Sequence, residues 1–416
     1  MRFALLGDHR DGLDFAAAVA ASGRHELRLY SGPAPGLAYL QRLGIAPRSV
    51  GELEEVLSDA ALDAVIVASG PALRAGQLRR ALQSEFHVLC VHPADPSPDL
   101  AYEAALLQAD AGFVLLPLLP AALHPGFAGV GRLVQAGPPP RFLELEIWST
   151  EEVLLGAEDE SGKPGLPAWD VLRLIGGEIA EVYLQTTQAE LLPGQPLLLS
   201  GRFLSGLVFQ ATYVPDQSEA RWRLSLVTTT GRATLFLERG WPGPSRWTYT
   251  DERGAERTEI FDPFDPWSAL LEHFEQEVEV ASIRRVHQRP LARSLVEDPP
   301  ALAWQDELRA LELDDAARRS AEKGRVSTLD LQETTEEATF KGTMTLVGCS
   351  LIWLTLVVLI VSVWVPPLAW AILPLLAIFM AMQALRWVVP TSNEEKKPPP
   401  AAEIPPAAPD TRIRPG

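Results

Sequence analysis

Met1-Arg2-Phe3-Ala4-Leu5-Leu6-Gly7-Asp8-His9-Arg10-Asp11-Gly12 opens the chain, and the reading of everything after it turns on this stretch. The apolar run at 3–6 reads as a buried strand. A turn bracketed by Gly7 and Gly12 follows, and the Ala-rich residues 13–21 read as a helix. Strand, glycine turn and helix is the context of a phosphate-cradling fingerprint. The first glycine permits the tight turn, and the last lets helix and strand pack closely. The helix N-terminus offers free N–H groups and partial positive charge to an anion. The middle glycine of G-x-G-x-x-G, which admits a pyrophosphate to the main chain, is replaced by His9. Three readings stay open: a ligand sits further out, His9 and Arg10 hold an anion with their side chains beside Asp8, or the turn keeps its shape and binds nothing.

Working outward, residues 25–30 alternate as a second strand that ends Tyr30-Ser31-Gly32. An acidic residue in that place would hold ribose hydroxyls. None is present, so Ser31 either leaves room for a 2′-phosphate or belongs to a plain turn. Helix is expected at 52–58, 77–84 and 98–108, and strand at 63–68, 87–91 and 113–116. Ser69-Gly70-Pro71 and His92-Pro93 follow two of these strands, at the carboxyl ends where open α/β sheets bind ligands. Such alternation means a parallel sheet with helices on both faces.

Here the order of pieces resembles a known family. Asp63-Ala64-Val65-Ile66-Val67-Ala68, a helix, and His87-Val88-Leu89-Cys90-Val91-His92-Pro93 are similar to the D-A-V-x-V-A-T-P and H-V-L-x-E-K-P segments of the Gfo/Idh/MocA oxidoreductases. Pro167-Ala168-Trp169-Asp170 resembles their H-x-x-D helix. The run that closes on Ser320, Gly324 and Arg325 resembles their final helix. The likeness spans residues 1–330. It implies a Rossmann domain, a second open-sheet domain, NAD or NADP as cofactor, and a sugar or cyclitol substrate.

The departures fall on the working residues. His92 stands where the family has Lys, and Pro167 where it has the proton-transferring His. Proline has no titratable group. Arg74 stands where many members carry a His. With His9 and the missing acid after the second strand, these losses point to a fold that is kept and a hydride transfer that is not. His92 can titrate near neutral pH, or it can be a satisfied turn residue. The candidate catalytic residues are therefore His92 and Asp170. The candidate cofactor residues are Gly7, Asp8, His9, Arg10, Gly12, Ser31, Ser69, Gly70, Pro71, His92 and Pro93.

Residues 141–261 alternate as strands, at 142–148, 181–187, 207–213, 221–227 and 233–238. They suggest an antiparallel sheet with one face covered. The resemblance makes such a sheet a substrate wall and an oligomer interface. Trp222, Trp241, Trp247 and Tyr249 either stack on a sugar or fill the core. Residues 267–277 read as an amphipathic helix and 282–300 as a basic loop.

The 416 residues carry a net charge of −18, which argues against a nucleic-acid partner. Two cysteines make no disulfide framework, and no metal-ligand spacing occurs. The N-terminal apolar run is too short for a signal peptide. No charged residue lies between Gly342 and Leu385, a length sufficient for two membrane spans. Pro366-Pro367 divides it into spans at 344–365 and 368–388. Lys341, Arg386, Lys396 and Lys397 put both ends in the cytoplasm.

The expected architecture is a Rossmann-like α/β domain (1–125), an α+β open-sheet domain (126–325), a linker (326–341), a transmembrane hairpin (342–389) and a disordered Pro-rich tail (390–416). The expected function is a membrane-anchored, non-catalytic, nucleotide- or sugar-responsive binding or scaffolding module with a degenerate NAD(P) site. The alternative is an active NAD(P)-dependent oxidoreductase on a sugar-like substrate, with His92 or Asp170 handling the proton. Expected partners are the membrane, such a ligand, and a second copy through the second-domain sheet.

Overall fold

Apolar, β-branched runs become strands, and the computed structural model arranges these in two sheets. It describes residues 1–95, 97–149, 166, 168–187, 195–215, 220–287 and 302–329. Pro167, the hairpin at 342–389 and the tail lie outside the described residues. The described residues all lie in one compact unit, residues 1–332.

The first sheet is built from β1 (Arg2–Gly7), α1 (Arg10–Ala21), β2 (Glu26–Ser31), α2 (Ala34–Arg42), β3 (Arg48–Ser49), α3 (Leu53–Leu57), β4 (Ala64–Ala68), α4 (Pro71–Gln83), β5 (His87–Cys90), α5 (Pro98–Ala111) and β6 (Leu115–Pro117). Its strands are parallel in the order β3-β2-β1-β4-β5-β6. Every residue of β4, Ala-Val-Ile-Val-Ala, is buried, as a strand covered on both faces requires. The order reverses at β1 and β4, which opens a crevice beyond their carboxyl ends. Helix α4 starts at Pro71, earlier than residue 77, because proline suits a first helical turn and Arg74 is buried.

After a 3-10 turn (Pro120–Leu123) come α6 (Pro125–Ala136), β7 (Pro140–Ser149), α7 (Trp169–Gly176), β8 (Ile179–Thr186), β9 (Leu197–Phe203), β10 (Val208–Pro215), β11 (Arg221–Thr228), β12 (Gly231–Leu237), β13 (Ser245–Asp251), β14 (Glu256–Phe261), α8 (Pro266–His287), α9 (Trp304–Lys323) and β15 (Ser327–Thr328). The second sheet runs β14-β13-β12-β11-β7-β10-β9-β8-β15. It is mixed, which corrects the antiparallel expectation: β10 pairs parallel to β7. The chain reaches β10 by way of α7 and the β8–β9 pair, so it re-enters beside β7 in the same direction.

One face of this sheet buries Leu143, Leu145 and Ile147 against α6, α7 and α9. The expected linker begins too early, because Ser327 and Thr328 pair with Val182 and Glu181 of β8. Helix α9 serves both sheets. Trp304, Leu308 and Leu311 pack under the first, and Leu313, Ala316 and Ala317 under the second. That placement brings buried charges of α9 to the crevice.

Candidate functional site

Gly7 has φ +96, and a Cβ there would lie 2.2 Å from the Ser69 nitrogen. Gly12 lets α1 lie on β4: a Cβ would come 2.2 Å from the Cβ of Ala68. The glycines thus do the backbone work expected of them. His9 does something else. Its Nδ1 accepts from the Asp11 N–H at 3.2 Å, capping α1 with its own ring. Burial, then Arg74, pulls its pKa down to about 4, so the ring is neutral and suited to accept. Arg10 is exposed and paired with Asp14 at 3.0 Å. The turn therefore gathers Asp8, Asp11 and Asp14, while its one cation is engaged by Asp14.

The end of β2 closes on the same turn. A Cβ on Gly36, in α2, would sit 2.7 Å from the Cβ of Asp8 and 2.3 Å from the Tyr30 hydroxyl. Tyr39 of α2 donates to Asp14 at 2.6 Å. Ser31 pairs with Leu6 as the last residue of its strand. These residues do not fit a dinucleotide well. An N–H that would receive the pyrophosphate is occupied, carboxylates replace the free cradle, and α2 lies against the turn where a ribose would meet β2.

At the other side of the crevice, Gly70 precedes α4 and Pro71 begins it. The Arg74 guanidinium donates Nε–H to the Ser69 carbonyl at 2.9 Å and Nη1–H to the Pro93 carbonyl. It fastens the β4–α4 turn to the His92-Pro93 turn.

The fold brings His92 and Asp170 into one buried, acidic neighbourhood. His92 Nδ1 is 2.6 Å from Oε2 of Glu307, and the other oxygen, Oε1, accepts from the Ala94 N–H at 2.7 Å. The Glu307 side chain is 0% exposed and that of His92 18%. Burial alone lowers the His92 pKa. The Glu307 charge and hydrogen bond outweigh it and hold the imidazole above its ordinary 6.5. Asp170, second in α7, accepts from the Ala122 N–H at 3.2 Å, and burial pushes it up to about 6. Asp314 accepts from Trp169 Nε1 at 2.6 Å and from the Leu166 N–H at 3.0 Å, and burial raises it too. Burial, then the charges of Asp314 and Asp170, pushes the Tyr213 hydroxyl up. Among the described residues, no group of three His, Cys, Asp or Glu is placed to hold a metal ion.

Glu307 and Asp314 were not among the sequence candidates. Their signal lies in helical spacing. Positions 304, 307, 308, 311 and 314 form one stripe of α9, otherwise Trp304, Leu308 and Leu311. A carboxylate inside an apolar stripe needs a partner, and Glu307 finds its partner more than two hundred residues away in sequence.

No family model matches the chain. It is 27% identical over 304 residues to D-xylose 1-dehydrogenase (NADP(+)) 2 of Haloferax volcanii, across 69% of this chain and 91% of that one. A levoglucosan dehydrogenase in complex with NADH and levoglucosan superposes with a TM-score of 0.61 at 15% identity, covering 80% of this chain and 100% of that one. A myo-inositol dehydrogenase from Corynebacterium glutamicum does so at 0.59 and 18%, covering 80% and 99%. The two superpositions establish the fold.

Proposed function

Taking as premise that the chain is Gfo/Idh/MocA-like in sequence and fold, we propose that it is a degenerate member that binds a sugar-like ligand without hydride transfer. The observation that carries this reading is the His9 ring capping α1 where a pyrophosphate would be received. NAD or NADP is the cofactor that kinship allows, and the residues of the first turn argue against tight binding of either. The test is a turnover screen with NAD+ and NADP+ against D-xylose, myo-inositol and levoglucosan. The expected result is no reduced cofactor above the blank, and sustained turnover with any pair would overturn the reading.

A working oxidoreductase is the second reading. What favours it is His92 and Asp170 gathered at the carboxyl end of the first sheet, in a chain that matches 91% of an NADP-dependent xylose dehydrogenase. In that reading His92 or Asp170 moves the substrate proton, and the cofactor, when bound, supplies the hydride acceptor.

We further propose that the protein is held on the cytoplasmic face of a membrane by a hairpin at 342–389, on the strength of a segment with no charged residue. Among the described residues no helix is long and apolar enough to cross a membrane. A second copy would join through the open face of the second sheet. There Glu144 and Glu146 of β7 meet Arg232 and Arg223 across the strands.

A further inference from the structure

The end of α9 carries a surface opposite in charge to the chain as a whole. Arg319, Lys323 and Arg325, with Val326, Ser327 and Thr328, line a cleft of about 280 Å³. Three cations and no carboxylate form its wall, in a protein of net charge −18. The carboxylates close by are engaged. Asp315, one turn earlier on α9, is paired with Arg319. Glu181, beside Thr328 on β8, is held by Arg202 at 3.0 Å. Glu322 is exposed and does not line the cleft. Lys323 and Arg325 pair with no carboxylate among the described residues.

The backbone beneath these side chains is fixed from three directions. Gly324 takes φ +58 at the end of α9 and turns the chain back. The buried Ser320 hydroxyl donates to the Arg325 carbonyl at 2.7 Å and accepts from the Leu184 N–H at 3.1 Å. The Leu329 N–H donates to the Ala180 carbonyl at 2.9 Å, which clamps β15 on β8. The helix end brings partial negative charge of about half a unit, which the cations exceed. Lys323 lies sixteen residues along α9 from Glu307, about 24 Å by helical rise, so the cleft is separate from the crevice that holds His92.

We propose that this cleft is an anion site that takes a phosphate monoester, with Lys323 and Arg325 as its charge partners and Arg319 at its edge. A monoester carries a charge of about −1.5 to −2 at neutral pH, which the two unpaired cations match, whereas a diester carries a single charge. The planar Arg325 guanidinium can donate to two phosphate oxygens at once, and Ser327 and Thr328 bring hydroxyl groups to the wall. The same chemical group occurs on small soluble esters and on lipid headgroups. Thirteen residues separate Thr328 from the uncharged stretch that begins at Gly342, so both sources enter the test.

The full chain in neutral detergent micelles is titrated by calorimetry with glycerol 3-phosphate, with micelles carrying phosphatidic acid, and with dimethyl phosphate. At least one of the two monoesters should bind, and dimethyl phosphate should bind about tenfold more weakly or not at all. Lys323→Gln with Arg325→Gln should weaken monoester binding at least tenfold. Both side chains are exposed, so this variant should keep the parent's thermal midpoint. Arg257→Gln, which removes an exposed cation of β14, should leave binding unchanged. Binding of both monoesters, or of one alone, upholds the site and tells whether its ligand is soluble, lipid-borne or either. No heat with either monoester overturns the proposal. So does equal affinity for dimethyl phosphate, unchanged binding in the double variant, or an equal loss in Arg257→Gln. None of these results depends on the first turn or on His92, so the proposed function stands or falls separately.

Discussion

His9 is the residue on which the cofactor question turns. Its neutral ring accepts from the Asp11 N–H, which leaves that donor unavailable to a phosphate. A His9→Gly, Asp11→Ala double variant frees the N–H and removes one carboxylate at a cost of a few tenths of a kcal/mol in capping. Hydrogen bonds to a charged group are worth about 1.5–3 kcal/mol. The double variant should therefore show a heat of NADH binding by calorimetry at millimolar cofactor, where the parent shows none. Equal, unmeasurable binding in both would mean that α2, not His9, closes the site.

Asp170 supplies a test of burial at the same scale. Folded, it keeps its proton up to about pH 6, whereas an unfolded Asp releases it near 3.8. The folded chain binds more protons in that window, so stability falls as pH rises through it. Asp170→Asn removes this dependence. Its thermal midpoint relative to the parent should climb between pH 4 and pH 7, and a constant offset would contradict the burial argument. The importance of Gly7, Gly12 and His9 was legible from spacing alone. Glu307 was not, because its contact with His92 spans 215 residues of chain.

At the level of elements, strand–turn–helix units were readable wherever a buried parallel strand had to be continuously apolar. The missed elements share physical reasons. Helix α2, to which the sequence reading assigned nothing, carries Pro35 and Gly36 in its first turn, residues that favour turns over helix. Strand β14, Glu-Arg-Thr-Glu-Ile-Phe, is an exposed edge whose charges hide its alternation and protect it from pairing. The parallel β7–β10 pairing depends on connections that no periodicity encodes. Packing of α1 on β4 depends on Gly12. Gly12→Ala should cost about 1–3 kcal/mol through overpacking against Ala68, measured as a drop in denaturant midpoint with an unchanged slope. A neutral outcome would show that the helix can lift away.

For the whole molecule, two features carry the proposed reading. The first is the self-capped turn, and the second is the uncharged stretch near the C-terminus. The hairpin proposal predicts that the full chain stays with membranes after alkaline carbonate washing, whereas a chain ending at residue 341 is released. Release of both would remove the anchor from the account. The net charge of −18 disfavours contact of the body with anionic surfaces. The layered architecture was legible because composition and periodicity report burial. The ligand was not, because ligand choice depends on how loops from two sheets converge.

The most direct measurement is calorimetric titration of the full chain in detergent micelles with NADH and NADPH. It is paired with a thermal shift, because a ligand present at a hundredfold excess over its dissociation constant stabilises the folded state by about 2.7 kcal/mol. The account predicts no heat of binding and no shift at millimolar cofactor, since the first turn caps its own helix. Micromolar affinity for either dinucleotide would contradict it, and would make His92 and Asp170 the residues to test for proton transfer.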